Sequence, residues 1–133
     1  MRVAELMRTN LKTVAAEATI ADAVCLFADA RVSALPVIDR FGRAVGIVTT
    51  RNVLEAERRC SDPASRDQLF ERTLVLEIMT PWPVTVGPDV DVRDAARQML
   101  YLDVQRLFVE RDGALVGVIS QTDIVGAVAT AGV

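Results

Sequence analysis

Residues 32–52 read VSALPVIDRFGRAVGIVTTRN. Two aliphatic runs, Ala34 to Ile38 and Val45 to Val48, flank the turn residues Asp39-Arg40-Phe41-Gly42, and the second run passes straight into the polar segment that starts at Thr50. Short aliphatic runs around a glycine-bearing turn predict two buried strands joined as a hairpin. The pattern returns at residues 104–123, VQRLFVERDGALVGVISQTD, with Leu107 to Glu110 and Leu115 to Ile119 around Arg111-Asp112-Gly113. Asp-Gly between apolar runs is the strongest short-range hairpin signal.

Outward from these hairpins the two halves stay in step. At an offset of 72 residues Val3 to Met7 (VAELM) meets Val75 to Met79 (VLEIM), Thr13-Val14 meets Thr85-Val86, and Asp22-Ala23 meets Asp94-Ala95. Past the turn the offset falls to 71, and Val45-Gly46 meets Val116-Gly117. Each half opens with a short strand entry, Leu11 to Val14 or Pro83 to Val86. Thr19 to Asp22 and Asp91 to Asp94 have the spacing of capping boxes and predict helix starts. The helices that follow carry apolar stripes at Ile20, Val24, Phe27 and Ala28, and at Val92, Ala95, Ala96, Met99 and Leu100. A last helix closes each half, from about Thr50 to Arg59 and from about Gln121 to Ala129. The expected fold class is α/β (α+β): two tandem β-α-β-β-α repeats, residues 1–59 and 74–133, joined by a polar linker, 60–73, with a helical turn from Ser65 to Glu71. Each half alone is too small to bury a good core, so the halves are expected to pack sheet to sheet.

Composition narrows the function. The 133 residues are 51% hydrophobic and only 5% aromatic, so the core is aliphatic, as suits α/β layering. A net charge of −3 gives no basic footprint for nucleic acid. There is no histidine, and the two cysteines are not clustered, so neither a transition-metal site nor a Ser-His or Cys-His catalytic pair is expected. Cys25 falls in an apolar helix pattern and reads as a small core residue; Cys60 lies in a polar stretch and reads as exposed. The opening segment, MRVAELMRTN, lacks the apolar run of a secretion signal, and no run approaches the ~18 residues of a membrane span. A cytoplasmic protein is expected, with no membrane and no nucleic-acid partner.

Four strings resemble the CBS-domain family: VSALPVID (Val32 to Asp39), GRAVGIVT (Gly42 to Thr49), EIMT (Glu77 to Thr80) and LVGVISQTDI (Leu115 to Ile124). The resemblance covers nearly the whole chain. It implies a tandem CBS pair with pseudo-twofold symmetry that binds adenosine compounds in clefts between the repeats and forms a homodimer.

The residues themselves support a nucleotide site. After Gly117-Val118-Ile119 the strand turns into a helix at Ser120-Gln121-Thr122-Asp123, where free N–H groups favour phosphate. The Ser120 hydroxyl can donate to phosphate, and the Asp123 carboxylate can accept from ribose hydroxyls. Spacing alone favours a helix cap for the pair, and it is the resemblance that turns the reading toward a ligand. The resemblance assigns Ser120 and Asp123 to phosphate and ribose, includes Val118 in the ligand-binding set, and places Arg106 where family members carry a phosphate-binding base. The alternative for Arg106 is a solvated strand-end charge. Leu11, Lys12, Val32 and Ser33 match positions that line the adenine pocket; Lys12 also suits a phosphate or plain solvent. A second cleft, built on Thr49 and Asn52, is weaker, because Asn52 lacks the acid and Ala34 stands in place of Arg106.

Trp82, between Pro81 and Pro83, is read as packing at a pocket edge or an interface. The function expected is a non-catalytic regulatory module, not an enzyme, that takes an adenine nucleotide (AMP, ADP or ATP type) as regulatory ligand, with no cofactor, and signals to an unknown effector protein. With only Arg106 and Lys12 to supply charge, a single phosphate is preferred. The alternative is a ligand-free structural dimerisation module.

Overall fold

The computed structural model describes residues 1–81 and 84–131, so Trp82 and its expected role lie outside the described residues. In chain order the elements are α1 (Val3–Leu6), β1 (Val14–Ala15), α2 (Ile20–Ala30), β2 (Ala34–Ile38), β3 (Ala44–Thr49), α3 (Thr50–Arg58), α4 (Pro63–Arg72), α5 (Val75–Ile78), β4 (Thr80–Pro81), β5 (Thr85–Val86), α6 (Val92–Leu102), β6 (Arg106–Arg111), β7 (Ala114–Ser120) and α7 (Gln121–Ala131).

The chain folds as two compact units, divided after Leu11 and before Val84. The contiguous unit begins at Lys12 and carries a sheet of order β1-β2-β3-β4, in which β1 and β2 run parallel and the other pairs antiparallel. The split unit joins residues 1–11 to the chain from Val84 and carries a sheet of order β5-β6-β7 with the same directions. Both hairpins carry a register shift at equivalent points, between Val37 and Ile38 and between Val109 and Glu110.

These spatial units differ from the repeats read along the sequence, because the repeats exchange their short opening helices. Val3 of α1 is fully buried in the cluster that holds Val92, Met99, Leu107 and Ile119, and its N–H reaches the Val90 carbonyl at 2.8 Å. Val75 of α5 is likewise buried with Ile20, Phe27, Leu35 and Val48, and its N–H reaches the Ala18 carbonyl at 2.7 Å. Fully burying one valine favours this exchange by roughly 1.5–3 kcal/mol in each unit.

The turns follow from their residues. Asp112 and Gly113 both have positive φ, 54° and 82°, the pair a two-residue type I′ hairpin requires. In the other hairpin Asp39 Oδ1 accepts from the N–H groups of Phe41 and Arg43 at 2.8 and 3.0 Å, and Gly42 supplies the positive φ of 78°.

Several expectations need correction. The helices α2 and α6 each bury the line i, i+3, i+7, namely Ile20, Ala23 and Phe27 in α2, and Val92, Ala95 and Met99 in α6. The stripes expected at Val24, Ala28 and Leu100 took the neighbours on the flank, which a helix resting on one sheet leaves in solvent; Leu100 is 75% exposed. Cys25 lies on the same outer flank and is exposed rather than core. Cys60 is half-buried, its thiol 3.8 Å from the Ala56 carbonyl. Thr19 and Asp22 do close a capping box. Asp91 instead accepts from Arg93 N–H at 2.8 Å, two residues on.

The first strand starts at Val14 and not at Leu11. The segment 60–73 holds a full helix, α4, because Asp62 caps it through Ser65 N–H at 2.7 Å and Pro63 sits at its first turn. Leu69 and Phe70 of that helix pack on the contiguous unit's core.

Candidate functional site

Both units end their hairpin in the same way, with a strand running directly into a helix. In the split unit Ser120 is the last residue of β7. Its Oγ accepts from Asp123 N–H at 3.1 Å, and Asp123 Oδ2 accepts from Ser120 N–H at 3.0 Å. In the contiguous unit Thr49 Oγ1 accepts from Asn52 N–H at 3.1 Å, and Asn52 Oδ1 accepts from Thr49 N–H at 2.9 Å. Both are closed capping boxes of equal length, so a neutral amide performs the capping as well as a carboxylate.

The surroundings differ. Arg106 lies directly opposite Ser120 across the β6–β7 ladder. On the other edge of β7, Arg8 pairs antiparallel with Val118, through N–H···O contacts of 2.8 and 3.0 Å in the two directions. Residues opposite one another share a face of the sheet, as do residues two apart on one strand. Arg8, Val118, Ser120 and Arg106 therefore share one face, while Gly117 and Ile119 point toward the helix-backed core. Arg8 Nε donates to Asp123 Oδ1 at 3.2 Å. The Asp123 side chain is only 12% exposed and the Arg8 side chain 71% exposed. Phe108 belongs to the same face by register with Val118 and is buried outside the core cluster.

Close approach of the Arg8 segment depends on Gly117. A Cβ there would stand 2.6 Å from Met7 Sδ and 3.1 Å from the Arg8 carbonyl. Gly46 serves the equivalent crossing, with Met79 Sδ at 2.6 Å and the Thr80 carbonyl at 2.7 Å.

The structure thus brings together Ser120, Asp123, Arg106 and Val118 of the expected set, with Leu11 in the same unit. Lys12, Val32 and Ser33 belong to the contiguous unit, with Thr49 and Asn52. Lys12 and Ser33 are exposed and Val32 is 39% exposed; the Ser33 carbonyl accepts from Thr50 N–H at 3.0 Å at the start of α3. Sequence reasoning missed Arg8. The available signal was the charge difference between repeats: Arg8 aligns with Thr80, as Arg106 does with Ala34 and Asp123 with Asn52.

The site offers one hydroxyl donor, two guanidinium groups and one carboxylate, which suits a ligand with both phosphate and vicinal hydroxyls. Among the described residues no group of His, Cys, Asp and Glu side chains is arranged to hold a metal ion. No helix among them is long and apolar enough to cross a membrane.

The family model for the CBS domain matches residues 3–59 and 75–130. The chain is 28% identical over 141 residues to the chloroplastic CBS domain-containing protein CBSX2 of Arabidopsis thaliana, a match over 90% of this chain and 59% of that protein. It is 34% identical over 114 residues to inosine-5'-monophosphate dehydrogenase of Korarchaeum cryptofilum, a match over 84% of this chain and 21% of that enzyme. The chain therefore spans less than two thirds of the length of these relatives. Among solved structures, that of CBSX2 in complex with AMP superimposes with a TM-score of 0.81 at 29% identity, covering 99% of this chain and 98% of the other.

Proposed function

The chain belongs to the CBS-domain family, with two copies of the domain, and on that premise we propose that it is a non-catalytic regulatory module that binds an adenine nucleotide at the β7–α7 junction. The observation that carries this reading is the carboxylate of Asp123. The equivalent cap closes just as well on Asn52, so the charge at position 123 is not needed for capping; it holds Arg8 at Oδ1, and the ionised carboxylate has further lone pairs for a ligand's hydroxyls. A carboxylate accepts the paired hydroxyls of a ribose, while the Ser120 hydroxyl and the Arg106 fork suit its phosphate. Val118 and Leu11 offer apolar contact to the base. The AMP complex of CBSX2, a structure of the same fold along nearly its whole length, supports an adenosine ligand.

Binding acts by shifting a conformational equilibrium through differential affinity, and a partner protein reads the shift. In this reading the module works as a cytoplasmic homodimer; exposed Leu100, Tyr101 and Val125 support self-association. The junction at Thr49 and Asn52 is the weaker site. The second reading, a ligand-free dimerisation module, is favoured by one observation: Ser120 and Asp123 already satisfy one another as a cap.

A thermal-shift and calorimetric titration with AMP, ADP, ATP, S-adenosylmethionine and GMP decides between them. A nucleotide at about 100 times its dissociation constant adds ~2.7 kcal/mol of stability. Asp123→Asn preserves the cap and is expected to abolish that shift while lowering the unliganded melting temperature by less than about 5 °C, since the cap keeps its hydrogen bonds and only the ion pair with the exposed Arg8 is lost. No shift with any adenosine compound in the wild-type chain would leave the dimerisation reading standing.

A further inference from the structure

We propose that Arg8 is a specificity-determining residue of this site, selecting a phosphorylated adenosine over the uncharged nucleoside. The inference rests on the nucleotide reading above and deepens it. Asp123 sits 12% exposed at the mouth of a site meant for an anion, and alone it would repel phosphate. Arg8 neutralises it through the 3.2 Å contact with Oδ1, while Oδ2 is held by Ser120 N–H. The guanidinium uses its Nε edge for this and remains 71% exposed, so the rest of its fork faces outward with donors to offer.

The backbone fixes where those donors are. Arg8 is clamped to Val118 by N–H···O contacts in both directions, and Gly117 clears the space for the crossing. Arg106 enters from the opposite edge of β7, level with Ser120. On one face Arg106 thus stands beside Ser120 and Arg8 beside Val118 on the opposite edge of β7, and with Asp123 they leave the site net cationic. The three charges stand or fall as a set. In the contiguous unit the equivalents of Arg8, Arg106 and Asp123 are Thr80, Ala34 and Asn52, all uncharged. A charge kept only to tie down the opening segment would not need to vanish with the other two, because Thr80 is held to Ile47 by the same kind of strand pairing without it.

The test is calorimetric titration of the full chain with AMP and with adenosine, for wild type, Arg8→Gln and Arg8→Lys. Loss of one charge-assisted contact to phosphate predicts that Arg8→Gln weakens AMP by about tenfold or more, with adenosine changed by less than about twofold. Arg8→Lys keeps the charge without the fork and is expected to fall between the two. Equal weakening of AMP and adenosine would mean that Arg8 merely positions the segment, and unchanged AMP affinity would remove it from the site; either overturns the proposal and leaves the nucleotide reading intact. A wild-type chain that binds neither compound overturns both. If Arg8→Gln does not fold, the Arg8→Lys ratio of AMP to adenosine affinity decides: a ratio equal to wild type's with both affinities lowered counts against selection, and a lowered ratio supports it.

Discussion

The contiguous and split units share a strand-to-helix junction of the same geometry, yet one is decorated with charge and the other is not. Thr49–Asn52 and Ser120–Asp123 close boxes whose hydrogen bonds agree within about 0.1 Å, and Gly46 and Gly117 both admit a crossing segment. Around one junction stand Arg8, Arg106 and Asp123; around the other stand Thr80, Ala34 and Asn52. The two units hold in common what the fold of the junction needs and differ in the chemistry around it. The comparison therefore separates the two roles without a mutant: residues equal in both units serve the fold, and residues that differ are where function is to be sought.

The sharpest way to break the comparison is at the shared glycines. Gly46→Val and Gly117→Val should each destabilise the chain by roughly 2–3 kcal/mol in urea unfolding, because the added atoms meet backbone as well as methionine. Gly46→Val should be the worse, since its backbone obstacle lies at 2.7 Å against 3.1 Å for Gly117. Equal stability of both variants to wild type would mean that the crossing segments are not packed as described.

Next comes a transplant of charge. Thr80→Arg, Ala34→Arg and Asn52→Asp together give the contiguous unit the split unit's set. The expected outcome is a second AMP equivalent in calorimetry, with an affinity within about tenfold of the first, the value of one charge-assisted contact. A stoichiometry that stays at one per chain would show that these three positions do not suffice.

A smaller effect is expected at the helix ends, where Arg31 and Asp103 occupy left-handed backbone at φ 54° and 55°. Arg31→Gly should stabilise by about 1 kcal/mol, and Asp103→Gly by less, because aspartate accepts this conformation more readily than arginine. Thermal melts of the two variants check the order.

The smallest is a pH effect confined to α4. The Asp62 carboxyl is held below its ordinary value of 3.8, chiefly by the hydrogen bond from Ser65 N–H. A depressed carboxylate contributes stability that is complete above the unfolded value and lost as the pH falls through the folded one. Acid titration should therefore bring wild type down onto Asp62→Ala below that range, while the two remain apart at neutral pH.

Much of this was legible in the residues. Asp112-Gly113 dictated its turn, Thr19 and Asp22 their cap, and Ala34 to Ile38 its strand, because each signal is local and its physics closes within a few residues. The spacing of Ser120 and Asp123 announced the cap that they close, and the aligned strand set Arg106 opposite Ser120. Arg8 stayed hidden because it lies 115 residues from Asp123 in sequence, and nothing local states which half the opening segment joins. The exposed flank of α2, with Val24 and Cys25, was misjudged for a related reason: an eleven-residue apolar helix offers two adjacent lines, and only the sheet beneath decides which is covered. The helix α4 was foreshortened because its start depends on a side-chain cap at Asp62 and a proline, not on periodicity.

The exchange of opening helices also has a consequence in time. Residues 12–81 carry all they need for their own sheet and can close as soon as they have been synthesised. Residues 1–11 are made before them, find their first partners at Pro88 and Val90, and complete their pairing only when Arg8 meets β7. Closing so long a span adds little free energy, about 0.6 kcal/mol for each doubling of its length, so the delay leaves the finished protein's stability nearly untouched. It makes the Arg8–Asp123 pair wait for the first turn of α7, which follows both hairpins along the chain.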